Sequence, residues 1–362
     1  MCGIIGYVGK KAASPILLEG LRRLEYRGYD SAGVAVVRDG ELLVRKKVGR
    51  IDKGLARLLK SEPAVGTLGI GHTRWATHGP PSDENSHPHL DQSGKIAVVH
   101  NGVIENYDAL KQKLLATGHK FSSGTDTEVL AHLIGDYYEK RKNVAQASSL
   151  RVHEASLPRE SGGKMPPEPA GGTPALLTQA VCDALRDVIG AYGIAVVCAE
   201  EPTTIVGARR GSPLIIGIGA GENFLASDAN AIVAHTKKVV FLNDYDVATV
   251  TPERFDVLNL GTDTANIQVS KLEFSQEDAA RGEFAHFMLK EIFEQPRTVE
   301  NAVRGRVDKE GATARFGGLN LTSAELRAIA DELIGRDTLA AAADASEAEP
   351  PATDASPPLA PV

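Results

Sequence analysis

The chain has 362 residues, 42% of them hydrophobic and 24% charged, enough apolar material for one large core with an appendage, or two modest domains. A formal net charge of -7 argues against nucleic acid or an anionic membrane as partner. No run approaches the roughly 18 apolar residues of a spanning helix, and no secretory leader pattern opens the chain, so a cytoplasmic protein without a membrane segment is expected.

In chain order, Cys2 to Val8 reads as a buried strand. Ser14-Pro15 then opens a helix, Ser as N-cap and Pro at the first helical position, with Leu17, Leu21 and Leu24 on one face. Strands follow at 33–37, 42–46, 67–73 and 96–100. The basic run Arg45-Lys46-Lys47 falls in one of them and reads as a solvated strand face. Asn106 caps a helix ending near Gly118, and Thr125 or Asp126 caps a second one that carries Val129, Leu130, Leu133 and Ile134 and ends near Lys140. More strands are expected at 194–199, 204–208, 214–218, 223–226, 238–242 and 246–251. Many strands with few helices between them predict an α+β fold with two stacked sheets and helices outside.

Two segments depart from this pattern. Residues 145–175 are rich in Ser, Pro and Gly without apolar period, and read as a disordered insertion. Residues 334–362 read as a low-complexity tail dominated by Ala, Pro, Ser, Asp, Glu and Thr.

Three cysteines, an odd number, suit a reducing compartment better than a disulfide framework. Cys182 and Cys198 sit in apolar periodic segments and read as buried small hydrophobes. Cys2 stands beside the initiator Met. Removal of Met1 would expose an α-amine, reference pKa about 7.7–8.0, able to act as general base for the Cys2 thiol. An amide-hydrolysing site also needs grips on substrate carboxylate and ammonium, and an oxyanion hole. Arg74 in HTRWATHG suits a bidentate carboxylate grip. Asn101 and Gly102 in HNG, at a strand end, offer an amide and a backbone donor. Asp126 in GTDTE can meet an ammonium at a helix start, and Arg27, Gly28 and Asp30 of YRGYDSAG lie in a turn before a strand.

These segments together resemble a known family. MCGIIGYVG, LEYRGYDSAG, GHTRWATHG, HPH, VHNGVIEN and TDTEV, in this order and spacing, resemble the glutaminase half of the glutamine–fructose-6-phosphate aminotransferases (isomerizing). The match resumes after the insertion with GAYG, GSPLIIGIGAGENFLASD and FAHFMLKEIFEQP, and covers residues 1–327 apart from 145–175. Amidophosphoribosyltransferase and asparagine synthetase share the opening but tend to show HRG in place of Tyr26-Arg27-Gly28, and lack the HTRWATHG and HPH pair. The resemblance implies an N-terminal-nucleophile hydrolase-type four-layer sandwich, with Cys2 as nucleophile and Asn101 and Gly102 as oxyanion hole. It makes Arg74 and Asp126 the grips on L-glutamine, adds Arg27 to the substrate site, and puts Trp75, Thr77 and His78 in a loop closing over the substrate. No metal and no cofactor is implied. His72, His78, His87 and His89 are weighed as a zinc site and set aside because no Cys or carboxylate has ligand spacing with them. Gly217, Gly219 and Gly221 imitate a dinucleotide loop but precede a strand, so a turn is expected.

The expected organisation is an amidotransferase domain over residues 1–275 interrupted at 145–175, a linker over 276–333 toward a sugar isomerase, and the tail. The isomerase half itself is expected to be missing, so that glutamine is hydrolysed but fructose 6-phosphate is used only if that half is supplied separately. The resemblance also implies a homodimer, which a missing isomerase half puts in doubt. The competing reading is a non-catalytic truncated remnant or glutamine-binding module.

Overall fold

The computed structural model describes residues 2–76, 79–154, 175–262, 265, 267–273, 282–303, 307–308 and 313–314. It divides into two compact units, residues 1–280 and 281–362. The first unit holds two antiparallel sheets. One is built from β1 (Gly3–Val8), β2 (Ser31–Arg38), β3 (Glu41–Val48), β4 (Leu68–Arg74), β9 (Ile215–Ile218), β10 (Asn223–Ala226), β11 (Lys238–Phe241) and β14 (Val269–Lys271). Its strand order is β14-β11-β9-β10-β1-β4-β2-β3. The other contains β5 (His89–Leu90), β6 (Ile96–Ile104), β7 (Gly190–Cys198), β8 (Ile205–Arg210), β12 (Asp246–Val250) and β13 (Phe255–Asn259), in the order β13-β12-β8-β7-β6-β5.

Why these strands stack follows from their apolar alternation. Along β1, Ile4 and Val8 point to one face and Ile5 and Tyr7 to the other, as period-two geometry demands. Ile4, Val8, Leu68 and Ile70 meet Ala97, Val99, Ala195 and Val197 of the second sheet in an inter-sheet core. Ile5, Tyr7, Val34 and Val36 are covered by α1 (Ala13–Leu24) and α2 (Leu55–Ser61) through Leu17, Leu21 and Leu55. Ile96, Val98, Ile194 and Val196 are covered by α3 (Tyr107–Ala116), α4 (Asp126–Glu154) and α5 (Leu176–Asp187). Each fully buried Leu or Ile contributes about 1.5–3 kcal/mol. The result is a four-layer α/β/β/α sandwich of the N-terminal-nucleophile hydrolase type, the expected fold class. Cys182 on α5 and Cys198 on β7 are buried, as read from their periodic settings.

Several local expectations are corrected. Helix α1 starts at Ala13 with Ala12 as N-cap, and Ser14 instead donates its hydroxyl to the Ala64 carbonyl. Pro15 is tolerated there because the first turn leaves its N–H positions unbonded. Asn106 does hold the N-cap place of α3, but its side chain bridges away, donating to the Asp187 carbonyl at 2.8 Å and accepting the Ile189 N–H at 2.9 Å. Strand β6 does not end at His100 or at HNG; it runs on through Asn101 and Gly102, which pair with Gly193 and Tyr192. Helix α4 continues past Lys140 to Glu154, so residues 145–154 of the expected disordered insertion are helical. Ala, Gln, Leu and Arg in that stretch are strong helix formers, and no Gly or Pro interrupts them before Pro158. Residues 155–174 lie outside the described residues, as do those of the expected tail.

The basic run on β3 is not a uniformly solvated face either. Lys46 donates to the carbonyls of Glu84 at 3.0 Å and Ser86 at 2.9 Å, and burial pushes its pKa down. Of the glycines at 217, 219 and 221, Gly217 lies within β9 opposite Phe224, while Gly219 and Gly221 fall in the β9–β10 hairpin turn, closed by Gly219 N–H to Glu222 O at 2.9 Å. The second unit contains α6 (Phe287–Val303), with Pro296 inside it, and a short hairpin of β15 (Val307–Asp308) and β16 (Thr313–Ala314).

Candidate active site

One end of the sandwich gathers the start of β1, the start of β2, the end of β4, the second half of β6 and the N-terminus of α4. Antiparallel pairing dictates this: Gly3 lies opposite Thr73, and Ser31 opposite Arg74. A cavity of about 340 Å³ opens here. Cys2, Arg27, Arg74, Trp75, Asn101, Gly102 and Asp126 all line it, together with His87, His100, Val103, Thr125, Thr127, Ser212 and Pro213. Thr77 and His78 lie outside the described residues.

Cys2 sits immediately before β1, and the backbone of Trp75 brackets its sulfur. The Trp75 N–H donates to Sγ at 3.2 Å, and Sγ lies 3.5 Å from the Trp75 carbonyl oxygen. Burial pushes the thiol pKa up, and the Trp75 N–H, the chain-terminal ammonium and Arg74 only partly offset that rise. The thiol is therefore mostly protonated near neutral pH, and attack requires a base.

Trp75 is half-exposed, its indole edge-on to Tyr29 with ring centroids 5.5 Å apart. The segment carrying it is fastened from below. Asp30 accepts the Ala76 N–H at 2.7 Å, and the Asp30 N–H donates to the Arg74 carbonyl at 3.1 Å. Gly28 is required by the same packing, since a Cβ there would stand 2.9 Å from the Arg74 carbonyl carbon.

Arg74 is buried at the cavity wall and donates to the carbonyl of Gly79 at 3.2 Å. Arg27 reaches the cavity from the α1–β2 turn with its guanidinium already on Asp228 at 2.8 Å, where Tyr26 also donates. Asn101 Nδ2 donates to the Cys2 carbonyl oxygen at 3.2 Å, which sets the amide beside Cys2. Gly102 has φ +137°, a conformation that L side chains rarely adopt, and a Cβ would lie 2.0 Å from the Ala191 oxygen. Asp126 opens α4 and is buried, with Oδ2 accepting the Ile104 N–H at 2.9 Å and standing 3.8 Å from His100 Nδ1.

The polar wall around these residues was not visible as such in the sequence. His72, His87 and His89 are buried and in mutual ring contact, with centroids 4.2 Å apart for the first pair and 4.9 Å for the second. Burial drives all three pKa values down, His72 to about 3. Among the described residues no cluster of His, Cys, Asp and Glu has the convergence of a metal site. Ser212 and Pro213, seated against Gly193 of β7, complete the cavity lining. Among the described residues no helix is long and apolar enough to cross a membrane.

A family model described as a glutamine amidotransferase domain matches residues 61–145, which include Arg74, Asn101, Gly102 and Asp126. The chain is 47% identical over 323 residues to a glutamine–fructose-6-phosphate aminotransferase (isomerizing) of Chlorobaculum tepidum, covering 88% of this chain and 47% of that protein. The chain carries a glutamine amidotransferase domain. A second such aminotransferase, from Aquifex aeolicus, is 44% identical over 312 residues, covering 86% of this amidotransferase chain and 47% of the relative. The chain thus spans about half the length of the curated relatives it matches. Among solved structures, the glutamine phosphoribosylpyrophosphate amidotransferase of B. subtilis superposes with a TM-score of 0.53 at 25% identity, covering 74% of this chain and 50% of that one. A structure described as the allosteric regulatory enzyme of purine biosynthesis gives 0.55 at 25% identity, over 72% and 49% of the two chains. Both share the sandwich described above.

Proposed function

We propose that this amidotransferase domain releases glutamate and ammonia from L-glutamine through a covalent thioester on Cys2. The observation that carries the reading is the Asn101 amide 3.2 Å from the Cys2 carbonyl, beside a thiol clasped by the Trp75 backbone at the cavity wall. With Met1 removed, the Cys2 α-amine takes the thiol proton as Sγ attacks the side-chain amide carbon. The carbonyl π electrons move to oxygen, and the resulting oxyanion is met by Asn101 Nδ2–H and the Gly102 N–H. Collapse of the tetrahedral adduct expels ammonia, which takes the proton back from the ammonium. Water then repeats the sequence on the thioester and frees glutamate.

Arg74 holds the substrate α-carboxylate, and Asp126 its α-ammonium, with Arg27 adding positive charge at the carboxylate end. Trp75, half-exposed at the cavity wall, would cover the bound amide, a role that the resemblance also gives to Thr77 and His78 outside the described residues. In keeping with the domain boundaries expected above, residues 1–275 carry this chemistry and residues 276–333 lead toward the remaining half.

The printed name of the relatives suggests what the ammonia is for. We assign to this domain the glutamine side of fructose 6-phosphate amination, with glucosamine 6-phosphate as the product. The sugar-phosphate half of the reaction, and any dimerisation, we assign to the part of those proteins beyond the match. A reducing compartment, the cytoplasm, suits a nucleophilic thiol. Glutamate release from glutamine by the purified chain, lost in Cys2→Ala, tests the first reading. Glucosamine 6-phosphate appearing only when the isomerase half is added tests the second.

A further inference from the structure

The inter-sheet layer is apolar along most of its length but turns polar at the cavity end. Alternation on β4 puts Ile70 into that layer, and two residues on it puts His72 there too, opposite Ile4 and Gly33. On β6 the same alternation brings Ala97, Val99 and then Asn101 to the inner face. The two side chains meet across the gap. His72 Nε2 lies 3.0 Å from the backbone carbonyl oxygen of His100 and 3.0 Å from Asn101 Oδ1.

These contacts determine a tautomer and an amide orientation in sequence. A backbone carbonyl can only accept, so Nε2 must carry the proton. A protonated Nε2 in turn requires an acceptor on Asn101, which turns Oδ1 toward His72 and leaves Nδ2 facing Cys2. His72 Nδ1 is buried without a hydrogen-bond partner, as suits a nitrogen bearing no proton. The ring lies against His87, and Gly33 makes that stacking possible: a Cβ at 33 would stand 2.2 Å from the His87 carbonyl oxygen. With its pKa held at about 3 by burial, the imidazole stays a neutral single donor throughout the neutral range.

We propose that His72 is a positioning residue that locks the Asn101 amide with its NH2 group toward the oxyanion. The inference rests on the oxyanion role proposed for Asn101. Without the Nε2 proton, only the 3.2 Å bond to the Cys2 carbonyl still holds the amide, and a second orientation, rotated by half a turn, becomes accessible in which Oδ1 faces the developing negative charge and repels it.

The test compares glutamate release by the wild-type chain, Cys2→Ala, Asn101→Ala, His72→Ala, His72→Gln, His72→Asn and the His72→Ala/Asn101→Ala double variant. The Gln side chain can present an N–H near the Nε2 position, whereas Asn reaches only as far as Nδ1. His72→Ala should lower kcat by about 10- to 100-fold, less than the roughly 100- to 1000-fold loss of a whole oxyanion donor, with KM for glutamine within about threefold. His72→Gln should recover most of that loss and His72→Asn should not. In the Asn101→Ala background, His72→Ala should cost nothing further. Iodoacetamide should alkylate Cys2 in His72→Ala at the wild-type rate. Equal losses in both backgrounds, a rise in KM at unchanged kcat, or alkylation falling in step with activity would overturn the positioning role. If His72→Ala does not fold, His72→Gln and His72→Asn decide, and equal activity in those two overturns it. A wild-type chain that releases no glutamate, or a Cys2→Ala chain that still does, defeats the underlying reading, and is recognised as such before any His72 variant is compared.

Discussion

Asp126 Oδ2 accepts the backbone N–H of Ile104 at 2.9 Å, tying the first turn of α4 to the last residue of β6. That bond occupies one carboxylate oxygen and leaves the charge at the cavity wall, where the proposed mechanism puts the substrate ammonium.

Asp126→Asn separates the two duties, because an amide oxygen still accepts from Ile104 while the negative charge is gone. KM for glutamine should rise by about 10- to 100-fold, the cost of a lost charged contact of about 1.5–3 kcal/mol, with the thermal midpoint nearly unchanged. A variant with wild-type KM would remove Asp126 from the substrate site.

Cys2→Ala should reduce glutamate release by at least about a thousandfold, since among the described residues no second thiol lines the cavity, and the hydroxyls of Thr125, Thr127 and Ser212 there are far weaker nucleophiles at neutral pH. Cys182→Ala and Cys198→Ala should retain activity while losing about 1 kcal/mol of stability from their buried settings. An uncleaved N-terminal tag should inactivate, because an amide nitrogen is no base. Where Met1 is retained, the burial that raises the Cys2 pKa predicts that alkylation by iodoacetamide keeps accelerating above pH 9, while the processed chain reacts at lower pH. Full activity in a chain shown by mass spectrometry to keep its tag would sink the free-amine mechanism.

Gly102→Ala combines a left-handed backbone with a Cβ placed 2.0 Å from the Ala191 oxygen. The β6–β7 ladder must shift to admit it, at a cost above about 1 kcal/mol, and the N–H proposed as an oxyanion donor moves with it. Activity should fall more than a hundredfold at a temperature where circular dichroism still reports a folded chain. Retention of activity would show that the Gly102 N–H is not a donor to the oxyanion.

Glu128 predicts an acid-side loss of stability. Burial alone would raise its pKa, but the N–H and O–H groups of Ser122 and Ser123, at 2.6–2.8 Å, outweigh that and hold it below the ordinary value. A depressed folded-state pKa means the stabilisation is complete above the unfolded carboxylate value of about 4.3 and disappears as pH falls through the folded value. Glu128→Gln should therefore cost about 1–3 kcal/mol at pH 7 and progressively less toward pH 3. Urea melts at both pH values measure the difference, and a gap independent of pH would contradict it.

What the sequence made legible follows the strength of each local signal. The long apolar strands, Val34 to Val37, Ile96 to Val99 and Ile194 to Cys198, are recognisable because both their faces are buried. The short elements α2, β5, β13 and β14 escape, since two to seven residues carry no period and all three of those strands lie at sheet edges. Within the site, Cys2, Arg74, Asn101 and Asp126 are readable because each carries its chemistry in its own side chain. His72 and Lys46 are not, because their roles depend on carbonyls and amides 28 to 42 residues away, on another sheet or in a loop. From the chain alone, His72 suggests only a metal ligand and Lys46 only a solvated cation.

The position of β1 has a consequence for the order of assembly. One edge of this strand pairs with β4, but the other needs β10, and Ile4 N–H donates to Ser227 Oγ across 223 residues of sequence. A contact so distant in sequence forms late, after the intervening chain has been synthesised and folded. During that interval the first residues remain accessible to an aminopeptidase. The nucleophile is thus expected to be unmasked while the chain is still inert and enclosed only when the sheet closes over it, an order that mass spectrometry of ribosome-bound chains of increasing length can read directly.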